Sequence, residues 1–262
     1  MSRTLLFFFL LLTISPARAE PRLQIILVGD STMAPNTGYG EALCASFSDE
    51  IDCRNRARGG RSTSSFRAEG LWDEVLAIVR ASHLPSYVLI QFGHNDQPGK
   101  PGRSTDLATE FPANLERYVA ELRAAGGTPV LVTPLVRRQF TDFKLRNDLA
   151  AWADATRAVA AHTQTTLLDL NRASEDATNK LGPVESLRLA QASAPDSVTA
   201  AAKTGTTIEA PKVAGGTEPQ GTPKVVFDYT HVGPDGARFY ARIMRDALVQ
   251  ALPVLRPYLR AQ

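Results

Sequence analysis

"LQIILVGDSTMA" (Leu23–Ala34) sets a near-continuous apolar run directly against Gly29-Asp30-Ser31. A run of this kind suits a strand buried on both faces of a parallel sheet. Gly, Asp and Ser at its end have two readings. They are ordinary turn and helix-cap residues, and they also suit a nucleophile held at the mouth of such a sheet. The tripeptide alone does not choose between them, so its partners must be sought elsewhere in the chain.

Working outward from Ser31, apolar runs alternate with amphipathic stretches. "IDCRN" (51–55), "YVLIQF" (87–92), "PVLVT" (129–133) and "TTLLDL" (165–170) read as further strands. "GYGEALCASF", "SSFRAEGLWDEVLAIVRA", "ATEFPANLERYVAELRAAGG", "NDLAAWADATRAVAAHT" and "GARFYARIMRDALVQAL" read as helices, the second with Phe66, Leu71, Val75, Ile78 and Val79 at helical spacing. Strand–helix alternation predicts an α/β three-layer sandwich around a five-stranded, parallel, flavodoxin-like sheet. Functional groups in such sheets lie beyond the C-terminal strand ends.

The chain has 262 residues, 44% apolar and 21% charged, which suits a single domain with a sizeable core. Its first nineteen residues stand apart. A short basic start, the apolar "LLFFFLLLTI" and the small-x-small "ARA" at 17–19 predict a secretory signal peptide over 1–19 and a mature domain over 20–262. Without Arg3 and Arg18 the remaining basic residues equal the 27 acids, so the mature chain is formally neutral. Nothing in that balance points to a nucleic-acid binder or a stable membrane-surface protein, and neither is expected. The expected location is secreted or periplasmic, as a monomer. Cys44 and Cys53 are the only cysteines, and export predicts a disulfide between them, two buried free thiols being the alternative. No His or Cys pair stands at zinc-ligand spacing, and neither metal nor organic cofactor is expected. From about 191 to 224 the chain is rich in Ala, Thr, Pro, Gly and Lys with almost no apolar periodicity, which predicts a long mobile polar insertion.

Four segments carry chemistry. Ser31 follows the first strand, "RARGGRSTSSF" the second and "FGHND" the third, while "DYTHVGPDGA" precedes the last helix. In the last of these, Asp228 stands three residues before His231, close enough to fix the imidazole tautomer and stabilise the imidazolium. Serine needs such a base, because its hydroxyl is a poor nucleophile at neutral pH. Donors for a developing oxyanion are expected from the N–H groups of Ser31 and Gly60 and from the side chain of Asn95. Arg58, Arg61, Arg67, Arg137 and Arg138 cluster near strand ends, either as solvated charges or as partners for carboxylates of an acidic sugar polymer. Of these Arg61, Arg137 and Arg138, together with His94, are the candidate substrate contacts. His94 also reads as a support for its loop.

"GDST", "GGRST", "FGHND" and "DYTH", in this order, resemble the four blocks of the GDSL/SGNH hydrolase superfamily. "ARGGRSTSSF", "FGHND" and "VTPLVRRQF" resemble its rhamnogalacturonan acetylesterase branch in particular, and the resemblance runs from about Leu23 to Leu252. It implies Ser31 as nucleophile, Asp228 and His231 as its partners, and Ser31, Gly60 and Asn95 as oxyanion donors. The expected function is a serine esterase that removes O-acetyl groups from a polysaccharide, most readily a pectic one. Acetylated xylan or small acyl esters form an alternative substrate class. A non-catalytic carbohydrate-binding or envelope protein is the alternative of another kind, though binding alone needs no such set of residues.

Overall fold

β1 (Leu23–Gly29) is buried along its whole length, as its apolar composition requires. This computed structural model describes residues 20–210 and 226–260, and the expected signal peptide lies outside them. After β1 come α1 (Gly40–Cys44), β2 (Ile51–Asn55), α2 (Ser65–Ala68), α3 (Leu71–Ala81), β3 (Ser86–Gln91), α4 (Glu110–Ala124) and β4 (Thr128–Val132). A short hairpin, β5 (Phe140–Thr141) and β6 (Lys144–Leu145), precedes α5 (Ala150–His162) and β7 (Thr166–Leu168). α6 (Leu170–Glu185), α7 (Asp196–Lys203) and α8 (Pro234–Ala251) complete the order.

Five strands form one parallel sheet in the order β2-β1-β3-β4-β7. Alternate residues of each inner strand point to opposite faces. Leu23, Ile25 and Leu27, with Leu89, Val130 and Val132, pack under Tyr39, Leu43, Tyr240, Met244 and Leu248 of the α1 and α8 side. Ile26 and Val28, with Val88, Ile90 and Leu131, meet Phe66, Trp72, Val75, Leu115, Tyr118 and Trp152 on the other face. Each fully buried aliphatic side chain contributes about 1.5–3 kcal/mol, so the two faces together hold the strand ends rigid. The three-layer architecture is therefore the expected one. Cys44 and Cys53 form a disulfide between the end of α1 and β2.

Where the site begins, the pairing of β1 with β3 leaves no room for a side chain on the last residue of β1. Gly29 pairs with Gln91, and a Cβ on Gly29 would stand 2.6 Å from the Gln91 carbonyl oxygen. Only glycine fits there.

Two regions differ from expectation. The apolar pattern gives no sign of α6, because its buried face carries Asn171, Ser174 and Thr178. Those side chains are satisfied internally, Ser174 Oγ on the Asn171 carbonyl and Thr178 Oγ1 on the Tyr240 hydroxyl. The expected mobile insertion is corrected over its first part, and 211–224 lies outside the described residues. α7 buries Val198 and Ala202 against Leu187, Phe227 and Tyr229. Beyond it, the Thr207 amide donates to the Phe140 carbonyl at 3.0 Å, and the Tyr229 hydroxyl to the Ile208 carbonyl at 2.8 Å. One valine and one alanine four residues apart suffice to dock a helix, yet they leave almost no trace in composition.

Placing an unpaired carboxylate in this contact should cost about 3 kcal/mol or more. Val198→Asp is expected to lower the urea midpoint of unfolding strongly; an unchanged midpoint would show that α7 does not pack as described.

Candidate active site

Ser31 stands two residues beyond the end of β1. Its carbonyl accepts from Thr37 Oγ1 at 2.7 Å, and the Thr37 carbonyl accepts from the Val232 amide at 2.9 Å. This short relay ties the serine turn to the loop that precedes α8. That loop brings His231 Nε2 to 2.9 Å from Ser31 Oγ and His231 Nδ1 to 2.7 Å from Asp228 Oδ2. Asp228 Oδ1 accepts from the amides of Thr230 at 2.7 Å and His231 at 2.6 Å. One carboxylate thus orients the imidazole with one oxygen and folds the loop with the other. Burial alone would raise the Asp228 carboxyl, but His231 and these amide donors hold it below the usual carboxylate value. The carboxylate remains ionised where a neutral imidazole is needed as base.

The residues expected as oxyanion donors lie on linked loops, one of which adjoins Ser31. A Cβ on Gly59 would stand 3.6 Å from Ser31 Cβ, which places the Gly59-Gly60 turn directly beside the nucleophile. Gly60 has φ +79°, a left-handed backbone that glycine adopts without strain. Asn95 Nδ2 donates one hydrogen to the Arg61 carbonyl at 3.0 Å, which joins the Asn95 loop to that turn and leaves the second amide hydrogen for another acceptor. Ser31, His231 and Asp228 thus form one hydrogen-bonded line, with the Gly59-Gly60 turn beside Ser31.

Two of the expected substrate contacts, Arg138 and His94, need correction. Arg138 is fully buried and His94 nearly so, so neither reaches a ligand. His94 Nδ1 faces Asp30 Oδ2 at 3.4 Å; burial, with help from Arg137 and Lys100, pushes its imidazole below the ordinary value against the pull of Asp30. The contact joins the residues just before Ser31 and just before Asn95, which supports the loop reading of His94. Arg61 and Arg137 retain 18% and 15% side-chain exposure, and each is matched by a carboxylate, Glu69 and Asp148 respectively. Arg61 Nη1 also holds the Gly59 carbonyl at 2.7 Å, and Arg137 Nε reaches Thr230 Oγ1 at 3.2 Å. These arginines brace the catalytic loops.

Sequence reasoning missed Asp96. Its Oδ1 accepts from the Thr63 amide at 3.0 Å, Thr63 Oγ1 at 2.5 Å and Thr105 Oγ1 at 3.1 Å, while Oδ2 accepts from the Gly93 amide at 3.1 Å. It knots the loops that carry Gly60 and Asn95. Burial pushes its carboxyl up to about 6, against the hydrogen bonds from Thr63 and Thr105. The only sequence signal was its place beside Asn95.

With this geometry in place, comparison with known proteins decides the family. Residues 27–187 match the GDSL-like Lipase/Acylhydrolase family. The chain belongs to it. It is similar to the rhamnogalacturonan acetylesterase RhgT of Bacillus subtilis, at 36% identity over 175 residues, covering 64% of this chain and 73% of that protein. The probable rhamnogalacturonan acetylesterase YesY of the same organism is 32% identical over 154 residues, covering 56% and 70%. Among solved structures, the YXIM protein of Bacillus subtilis superposes with a TM-score of 0.65 at 23% identity over 87% of this chain, which spans 56% of that protein. A catalytic mutant of Axe2, an acetylxylan esterase of Geobacillus stearothermophilus, gives 0.56 at 16% identity over 94% of this chain and all of the other. The structural likenesses support the fold. Family and acetylesterase relatives together make this GDSL-family chain a carboxylic ester hydrolase.

The position of Asp96 gives a sign-specific pH effect. A folded value near 6, above an ordinary value of 3.8, means that the folded state binds the extra proton between those pH values. Its stabilising contribution is therefore full below pH 4 and lost as pH rises through 6, by up to about 3 kcal/mol. The stability advantage of the native protein over Asp96→Asn should shrink between pH 4 and pH 7.5 in urea unfolding. A constant gap would contradict it.

Proposed function

We propose that this GDSL-family hydrolase is a secreted or periplasmic serine carbohydrate esterase, active as a monomer, that removes O-acetyl groups from acidic polysaccharide of the rhamnogalacturonan type. The observation that carries the proposal is the unbroken hydrogen-bonded line from Ser31 Oγ through His231 to Asp228, beside Gly60 and Asn95. Ser31 Oγ attacks the acetyl carbonyl carbon while its proton passes to His231 Nε2. The amides of Ser31 and Gly60 and Asn95 Nδ2 receive the oxyanion. Collapse expels the sugar oxygen, which takes the proton from His231. Water, deprotonated by the same imidazole, then attacks the acetyl-enzyme, and acetate leaves with Ser31 Oγ reprotonated. Asp228 stays ionised throughout.

Two kinds of support favour an acidic polymer. Both named sequence relatives carry rhamnogalacturonan acetylesterase in their names. Around the site stand the half-buried cations Arg58 and Arg103, which form no salt bridge among the described residues, and Lys100, which feels the charges of Asp30 and Asp148. Arg103 Nη1 lies 3.4 Å from the Gly60 carbonyl, next to where an acetyl carbonyl would be bound. A uronate carboxylate near the acetylated carbon can meet such a guanidinium in a charge-assisted hydrogen bond. Export is supported by the leader-like residues 1–19 and by the Cys44–Cys53 disulfide, and among the described residues no helix is long and apolar enough to cross a membrane.

Acetate release from acetylated rhamnogalacturonan should exceed release from acetylxylan at equal acetyl content. Arg103→Gln should lower kcat/KM on the acidic polymer about tenfold more than on 4-nitrophenyl acetate, as expected for loss of a charged hydrogen bond. Preference for the neutral xylan, or equal losses on both substrates, would move the assignment to the acetylxylan or small-ester class.

A further inference from the structure

Arg138 carries a charge into the interior with 0% exposure. Among the described residues no carboxylate forms an ion pair with it. Its partners are instead four consecutive backbone carbonyls. Nη2 donates to the oxygens of Asp228 at 3.0 Å and His231 at 2.8 Å, and Nη1 to that of Thr230 at 3.3 Å. The Arg138 amide completes the set with the Tyr229 oxygen at 3.0 Å. Behind the guanidinium lies the Tyr240 hydroxyl of α8, itself bonded to Thr178 at 2.9 Å.

The segment 228–231 has little regular structure of its own. Its amides at Thr230 and His231 turn toward Asp228 Oδ1, and its carbonyls turn the other way, toward Arg138. A peptide folded like this cannot rotate a carbonyl without breaking a buried hydrogen bond, and a buried carbonyl left unpaired costs about 1–3 kcal/mol. Arginine suits the task because its planar fork presents five donors in fixed directions and stays protonated. Lysine offers three donors from one point and cannot span the same set. Displacing a catalytic group by about 1 Å costs on the order of a hundredfold in rate.

We infer that Arg138 is the positioning residue of the general base: by holding the carbonyls of residues 228–231 it aims His231 Nε2 at Ser31 Oγ. It touches neither substrate nor reacting atoms. The inference rests on the triad reading under Proposed function and adds a residue to it.

Arg138→Gln and Arg138→Lys test this directly, with 4-nitrophenyl acetate as substrate well below each variant's melting temperature. Arg138→Gln should lower kcat on the order of a hundredfold with KM within about threefold of the native value, and Arg138→Lys should restore part of the loss. The hydrogen bond from His231 Nδ1 to Asp228 at 2.7 Å should give the native protein a downfield proton resonance, and that resonance should weaken or vanish in the Gln variant. A folded Arg138→Gln with kcat within about threefold and an intact resonance overturns the inference, leaving a residue that only stabilises the fold. Should Arg138→Gln not fold, Tyr240→Phe decides: it removes only the hydroxyl behind the guanidinium and should lower kcat severalfold at unchanged KM, whereas native kcat would overturn the inference. Ser31→Ala in parallel separates the two readings, since activity surviving there refutes the triad itself, not the role of Arg138.

Discussion

Parallel pairing of β1 with β3 ends at Gly29 and Gln91, where the strands leave no room for a Cβ. That pairing fixes where the loops of the site begin. It sends Asp30-Ser31 and His94-Asn95 out of adjacent strands, so that the proposed nucleophile and amide donor start from one rigid edge. The Gln91 side chain reaches Thr32 Oγ1 at 2.7 Å and accepts from the Tyr39 hydroxyl. Thr32 in turn donates from its amide and hydroxyl to Asp30 Oδ1. The serine turn is therefore fixed from beneath by polar contacts buried in the sheet edge.

Around this edge the protein spends charged groups on geometry. Asp96 knots the loops of Gly60 and Asn95, Arg61 holds Gly59, and Arg137 braces Thr230. Asp228 divides its two oxygens between imidazole and backbone. Buried polar groups in this number are expensive unless every donor finds an acceptor, and their return here is one well-defined arrangement of loops that otherwise lack regular structure. The interior aliphatic faces supply stability; the polar layer at the strand ends supplies precision.

Legibility of the sequence followed the same division. Strands such as "LQIILV" and "YVLIQF" were readable because they are buried on both faces, and Ser31, Asn95, Asp228 and His231 stood out as candidates because the proposed chemistry restricts which residues can stand there. α6 was hidden by a polar buried face at Asn171, Ser174 and Thr178, and α7 by the small size of its apolar contact at Val198 and Ala202. The arginines misled for another reason. A guanidinium near a strand end looks alike in sequence whether it faces a ligand, as Arg103 can, or three backbone carbonyls, as Arg138 does. Only the three-dimensional placement of acceptors separates the two, and acceptors on the backbone have no residue type to read.

The central claim is that acyl transfer passes through Ser31. Mixing the protein with excess 4-nitrophenyl acetate, quenching in acid within the first turnovers, digesting and weighing the peptides measures this directly. The account predicts one acetyl group on the peptide that carries Ser31, absent when the substrate is omitted and absent from Ser31→Ala. Acetyl transfer to another residue at the turnover rate, or sustained turnover by Ser31→Ala, would contradict it.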